Sequence, residues 1–194
     1  MASKKIVVIL LAAGSSKRFG KDKLLQRLSN NKTVVAGTVA NLKKVTPNVI
    51  AVIRPDHAQL ENELQALDIR VVVNQRASGG MASSIIAGIL ASQQADGWII
   101  ALADMPWVKP ETIVRIKEKL LQGKSIVAPV HENQRGNPVG FSRQWKEALL
   151  KLQGDMGARD ILTNHSEKLF TFDTNDKGVF MDIDYPGDLD QKGL

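Results

Sequence analysis

Eight consecutive apolar residues, positions 6–13, run without a polar interruption into Gly14-Ser15-Ser16-Lys17-Arg18-Phe19-Gly20 and then Lys23. A strand with one wet face alternates apolar and polar residues; a strand with no alternation is buried on both faces and needs a sheet covered by helices on both sides. The glycine-rich turn after it gives this strand's carboxyl end a use. Backbone N–H groups in such a turn approach phosphate oxygens closely, and Arg18 and Lys23 add the positive charge a polyphosphate requires. Nucleotide binding is the first expectation. Lys4-Lys5 ahead of the run also has the form of a short signal peptide, but its apolar part is at the short end of the ~7–15 residues expected and the rest of the chain completes a nucleotide site.

The same pattern recurs downstream. Segments 49–53, 69–73, 98–103 and 125–128 are short apolar runs, whereas 33–44, 58–67, 81–93 and 110–121 carry apolar residues at helical spacing, the last opening on Pro110. Strands alternating with helices predict a single α/β, Rossmann-like domain with a mostly parallel sheet and helices on both faces. Beyond Pro129 the regularity weakens: 139–141 and 169–172 read as strands, 144–152 and 158–163 as helices, and 179–183 as a further strand. No linker or repeat divides the 194 residues, so the chain is expected to form one domain over 1–194.

Two common glycine loops are excluded by spacing. A P-loop has four residues between its glycines and Lys-Ser or Lys-Thr after them; here Gly14 and Gly20 enclose five and Lys21-Asp22 comes next. The dinucleotide fingerprint needs glycine where Ser16 stands. The loop that remains, Leu11-Ala12-Ala13-Gly14-Ser15-Ser16-x-Arg18-x-Gly20-x-x-Lys23, resembles that of the nucleotidyltransferases with a glycosyltransferase-A-like fold. Most similar are the molybdenum cofactor cytidylyltransferases and their guanylyl-transferring relatives.

Several later residues fit that resemblance. Asp104 closes an apolar run in Ala101-Leu102-Ala103-Asp104-Met105-Pro106, at the strand end where open α/β sheets bind ligands. It reads either as a turn residue or as a ligand for Mg²⁺, a hard cation that takes carboxylate and phosphate oxygens. Asp182 and Asp184 flank Ile183; on a strand both face one way, and one of them is also placed to cap a terminal helix. The resemblance implies that Asp184 partners Asp104 at the metal, although Tyr185 and Gly187 depart from the family's usual Thr and Glu. In Gly79-Gly80-Met81-Ala82-Ser83-Ser84, between a strand and a helix, either a plain helix cap or a nucleotide contact fits. The resemblance implies that Gly80, Met81, Ser83 and Ser84 meet the base and ribose. Arg135-Gly136-Asn137-Pro138 and Gly154-Asp155-Met156-Gly157-Ala158-Arg159 read as turns, with Asp155 placed to cap a helix. They are similar to cytidylyltransferase segments on the pterin side of the pocket, which implies substrate contacts from Arg135, Gly136, Pro138, Asp155, Gly157 and Arg159. The family's organisation further implies a nucleotide-binding half over about 1–128 and an acceptor-binding half, carrying an antiparallel strand, over about 129–194.

Composition removes other classes. With no cysteine there are no disulfides, thiolate metal sites or thiol nucleophiles, which is compatible with a cytoplasmic protein. The formal charge of +6 is scattered, and aromatic residues make up only 5%, so a small anionic substrate fits better than nucleic acid. No run approaches the ~20 apolar residues of a membrane span. His57, His131 and His165 have no metal-ligand spacing and read as surface residues. Ser15 and Ser16 lack the G-x-S-x-G elbow of a serine hydrolase. By resemblance, the expected reaction is transfer of CMP from CTP to the phosphate of molybdopterin or molybdenum cofactor, with Mg²⁺ as cofactor and Arg18, Lys23 and Asp104 as the catalytic groups. The product then passes to a receiving molybdoenzyme or its chaperone. A GTP-using guanylyltransferase, a sugar-phosphate nucleotidyltransferase and a non-catalytic nucleotide or cofactor carrier are the alternatives.

Overall fold

A computed structural model of the protein describes residues 4–16 and 19–190. Eight strands form one sheet: β1 (Ile6–Leu11), β2 (Val49–Ile53), β3 (Arg70–Val73), β4 (Gly97–Leu102), β5 (Ile126–His131), β6 (Gln134–Arg135), β7 (Val139–Ser142) and β8 (Leu169–Asp173). Six α-helices accompany them: α1 (Val34–Lys43), α2 (Ala58–Ala66), α3 (Met81–Leu90), α4 (Pro110–Leu121), α5 (Lys146–Leu150) and α6 (Arg159–Asn164).

The order is β3-β2-β1-β4-β7-β5-β6, with β8 on the free side of β5. Strands β3, β2, β1 and β4 are mutually parallel, as are β5 and β8; β7 is antiparallel to both β4 and β5 and joins the two parallel groups. The expected mostly parallel α/β sheet with an antiparallel insertion is what the chain forms.

The unbroken apolar run at the start is buried on both faces because the two sets of side chains in β1 serve two cores. Ile6, Val8 and Leu10 pack with Val35 and Val39 of α1, Leu60 of α2 and Ile113 and Ile116 of α4. Val7 and Ile9 pack on the other side with Ile85 and Ile89 of α3, Leu149 of α5 and Ile161 of α6. Each such aliphatic side chain contributes about 1.5–3 kcal/mol on burial.

One expected element is absent. Residues 179–183, apolar except for Asp182, read as a strand, but Lys177–Phe180 is a 3₁₀ turn and 181–184 has no regular structure. The Asp176 carboxylate accepts from the Gly178 N–H and winds the turn. The backbone then makes separate long-range bonds: Val179 accepts from Asn137, and the Ile183 N–H donates to the Asp104 carbonyl. Among the described residues, no helix is long and apolar enough to cross a membrane.

Candidate active site

The chain leaves β1 through α1 for β2 on one side, and returns from β3 through α3 to β4 on the other. This reversal opens a crevice beyond the carboxyl ends of β1 and β4, where open α/β sheets bind ligands. Leu11 and Leu102 are paired in register, so the loop from Ala12 to Ser16 and the segment carrying Asp104 leave the sheet side by side.

Asp104 sits two residues beyond β4 and its carbonyl accepts from the Ile183 N–H at 3.0 Å. Ile183 is fully buried, which turns the flanking Asp182 and Asp184 out of the core and beside Asp104. The three carboxylates each place an oxygen within 4.8 Å of the others. They converge without the strand that sequence predicts. At the entry to the final 3₁₀ turn, Pro186–Asp190, the Asp188 carboxylate accepts from the N–H groups of Asp184 and Tyr185 at 2.9 and 2.7 Å.

From the opposite loop, the Lys23 Nζ reaches Asp104 at 2.6 Å and Asp184 at 3.2 Å. Burial pulls the Lys23 pKa down, but the charge and hydrogen bond of Asp104, followed by those of Asp184, more than offset it and hold the ammonium above the ordinary lysine value. Asp182 moves upward: burial comes first, then the negative charge of Asp104, with Asp184 adding to it. One ammonium faces three carboxylates, an all-oxygen donor set that fits a hard divalent cation.

The crevice has a volume of about 560 Å³ and is lined by Leu11, Ala13, Gly14, Ser15, Gly80, Met81 and Ser84 together with Asp104, Asp155 and Asp182. Other residues of the expected nucleotide set lie behind it. Ala12 is buried in the core beneath the loop, and Ser16, at φ +48°, accepts the Lys23 N–H through its Oγ at 3.4 Å. Ser83 turns away, donating to the Gly80 carbonyl and accepting from Asn74 Nδ2. Arg18 lies outside the described residues.

A second cavity of about 360 Å³ shares Met81, Leu102 and Asp155 with the first and adds Arg135, Gly136 and Arg159. The two form one continuous groove, and two glycines fit its walls together. Gly80, at φ +83°, lies so close that an added Cβ would strike the Asp155 carboxylate and the Gly154 backbone; at Gly157, φ +56°, a Cβ would stand 2.7 Å from Met81 Sδ. Asp155 leaves α6 without a side-chain cap, so it is a groove residue here and not a helix cap. Pro138 is turned the other way, onto the small apolar hollow beneath α1 and α4 that Thr38, Leu42 and Ile113 also line.

Two buried polar groups are not legible in the sequence. Asn74, 5% exposed, donates to the Ser83 and Ser84 hydroxyls and accepts from the Arg76 N–H, organising the turn into α3. An asparagine ending an apolar run just before Gly79-Gly80 is the one signal of it. His57 is the second. Instead of lying on the surface it is 8% exposed and bonds Asp22, because its turn folds over the loop that carries Lys23. His131 is half-buried and His165 exposed. Trp98 is core and Trp145 bonds Ser125, whereas Trp107, the tryptophan nearest Asp104 in sequence, is half-buried against the α1–α4 core.

The sequence matches a family model described as MobA-like NTP transferase domain over residues 8–169. A probable molybdenum cofactor guanylyltransferase of Thermococcus gammatolerans is 34% identical over 145 residues, 72% of this chain and 71% of that protein. Nicotine blue oxidoreductase of Paenarthrobacter nicotinovorans is 26% identical over 185 residues, 91% of this chain and 90% of that protein. Among solved structures, Rv0371c of Mycobacterium tuberculosis H37Rv superposes with a TM-score of 0.78 at 25% identity, over 97% of this chain and 96% of that one. A complex of Rv0371c with manganese is also similar, with a TM-score of 0.78 at 22% identity over 95% and 96%.

Proposed function

We propose that this chain, which belongs to the MobA-like NTP transferase family, transfers CMP from CTP to the phosphate of molybdopterin or molybdenum cofactor and releases pyrophosphate. The observation that carries the reading is the groove itself. A carboxylate cluster with one lysine stands at one end, and arginines 135 and 159 stand at the other, across two adjoining cavities of about 560 and 360 Å³.

Asp104 and Asp184 would hold Mg²⁺, with Asp182 at hand. Bound there, the cation would neutralise charge on the phosphate oxygens. The N–H groups of the Gly14 loop bind polyphosphate oxygens, and Lys23, kept protonated by its two carboxylates, offers them a fixed cation; Arg18 belongs to the same loop. Gly80, Met81 and Ser84 line the place for base and ribose. Arg135, Asp155 and Arg159 hold the acceptor so that its phosphate oxygen faces the α-phosphorus. Such chemistry is accelerated chiefly by positioning and electrostatic preorganisation. The division into a nucleotide half, about 1–128, and an acceptor half, about 129–194, belongs to this proposal, with Asp182 and Asp184 reaching from the second half to the first. So does delivery of the product to a molybdoenzyme or its chaperone.

CTP rests on the similarity of segments 135–138 and 154–159 to the cytidylyl branch, while a relative named as a guanylyltransferase favours GTP. Pyrophosphate release with Mg²⁺ and molybdopterin, compared across CTP, GTP, ATP and UTP, decides. Release with CTP is expected; release with GTP alone moves the protein to the guanylyl branch, and no release with any of the four overturns the reaction.

A further inference from the structure

Lys23 is anchored from behind by a pair made of the buried His57 and the half-buried Asp22. His57 occupies the residue before α2, yet its ring makes no bond to its own helix. It turns to the carboxylate of Asp22, with Nε2 against Oδ2. His57 Nδ1 and Asp22 Oδ1 are themselves buried without a hydrogen-bond partner among the described residues, so each group depends on the one contact. Losing one member would strand the other, which costs more than a bond contributes.

Asp22 immediately precedes Lys23. Its carbonyl accepts from Gln26 Nε2 at 2.9 Å, and Leu24, on the other side of Lys23, is buried in the core. The chain is therefore pinned on both sides of a residue whose long, rotatable side chain has to deliver one charge to one place. Displacement of a reacting constellation by about 1 Å can cost on the order of a hundredfold in rate.

We infer that the His57–Asp22 pair is a positioning element for Lys23, fixing where its ammonium meets the triphosphate. The inference rests on the proposed role of Lys23 as a cation for the polyphosphate. Neither residue touches the groove, so their effect has to pass through Lys23, and a double-mutant cycle measures that.

The test compares His57→Leu in the wild-type and Lys23→Met backgrounds, reading CTP and GTP binding by calorimetry and kcat/KM for pyrophosphate release, with Tm recorded for each variant. In the wild-type background, His57→Leu is expected to weaken nucleotide binding and lower kcat/KM by about tenfold to a hundredfold. In the Lys23→Met background it should change neither by more than about twofold. His57→Gln, whose amide can donate to Asp22, should recover most of the loss. An equal loss in both backgrounds, or a fall in Tm with binding and kcat/KM intact, would overturn the inference. Should His57→Leu fail to fold, Asp22→Ala enters the same cycle with the same expectations, its side chain being 25% exposed. If the wild type binds nucleotide without turnover, the proposed reaction fails while the binding cycle still decides the role of the pair.

Discussion

The two ends of the groove hold their charges differently. At the sheet end, the Lys23 and Asp104 side chains are 13% and 19% exposed and in direct contact, Asp104 just beyond the buried strand β4 and Lys23 next to the buried Leu24. At the far end, Arg135, Asp155 and Arg159 are exposed and carried on the two-residue strand β6, a loop and the first turn of a short helix. Charges locked against one another lose little reorganisation energy during reaction, which suits chemistry. Charges standing in solvent are screened and interact only weakly until a ligand covers them, which suits recognition. The contrast predicts that substitutions at the first end act on kcat and those at the second on the acceptor KM.

The largest effect is expected from Asp104→Ala, which should lower turnover by roughly a hundredfold or more with the circular dichroism spectrum unchanged, as for loss of a preorganised electrostatic contact. Lys23→Ala should behave alike; near-wild-type turnover in either variant would remove the distinction between the two ends. Gly80→Ala probes the seam between them. Its φ of +83° and the closeness of Asp155 predict about 1–3 kcal/mol of destabilisation in urea melts and losses in both kcat and KM.

A smaller and more selective effect is expected at Arg159. Arg159→Ala should raise the acceptor KM about tenfold, equivalent to about 1.4 kcal/mol, with kcat within twofold. A fall in kcat at constant KM would place Arg159 with the chemistry instead. The smallest effect concerns Asp182, whose pKa burial and its neighbours raise above the ordinary 3.8. A carboxyl that binds its proton more tightly folded than unfolded favours the fold below the unfolded pKa and loses that contribution as pH rises through the folded one. Asp182→Asn should therefore be more stable than wild type at neutral pH, by well under 1 kcal/mol at so exposed a site, and the gap should close toward pH 3.8.

How much of this the sequence discloses depends on the same division. Buried strands announce themselves by apolar runs, so β1, β2, β4 and β5 and the crevice beyond β1 and β4 are readable, and with them Gly14, Lys23 and Asp104; β3, an edge strand with Arg70 exposed, is read from its three valines. Local pattern misleads at 179–183, because the apolar residues there reflect two separate buried anchor points, Val179 and Ile183, and not a ladder of strand hydrogen bonds. Ile183 still turns Asp182 and Asp184 toward Asp104, so the cluster forms by a different route. Asn74 and His57 are invisible for another reason. His57 meets Asp22 from a segment distant in sequence, and Asn74 meets the Ser83 and Ser84 hydroxyls only once the turn into α3 has formed; a polar residue's burial depends on partners that no local pattern names. Pro138 shows the limit of reading a motif as a unit: Arg135 and Gly136 line the groove, and two residues later the chain has crossed to the opposite face of the sheet.

The central claim is that this groove transfers a nucleotidyl group at Asp104. The most direct measurement is a single-turnover reaction with α-phosphate-labelled CTP, Mg²⁺ and molybdopterin, run with wild type and with Asp104→Asn. Label appearing in a pterin dinucleotide with the wild type, and reduced about a hundredfold or more with the variant, is the predicted result. Equal labelling by both proteins would contradict the account.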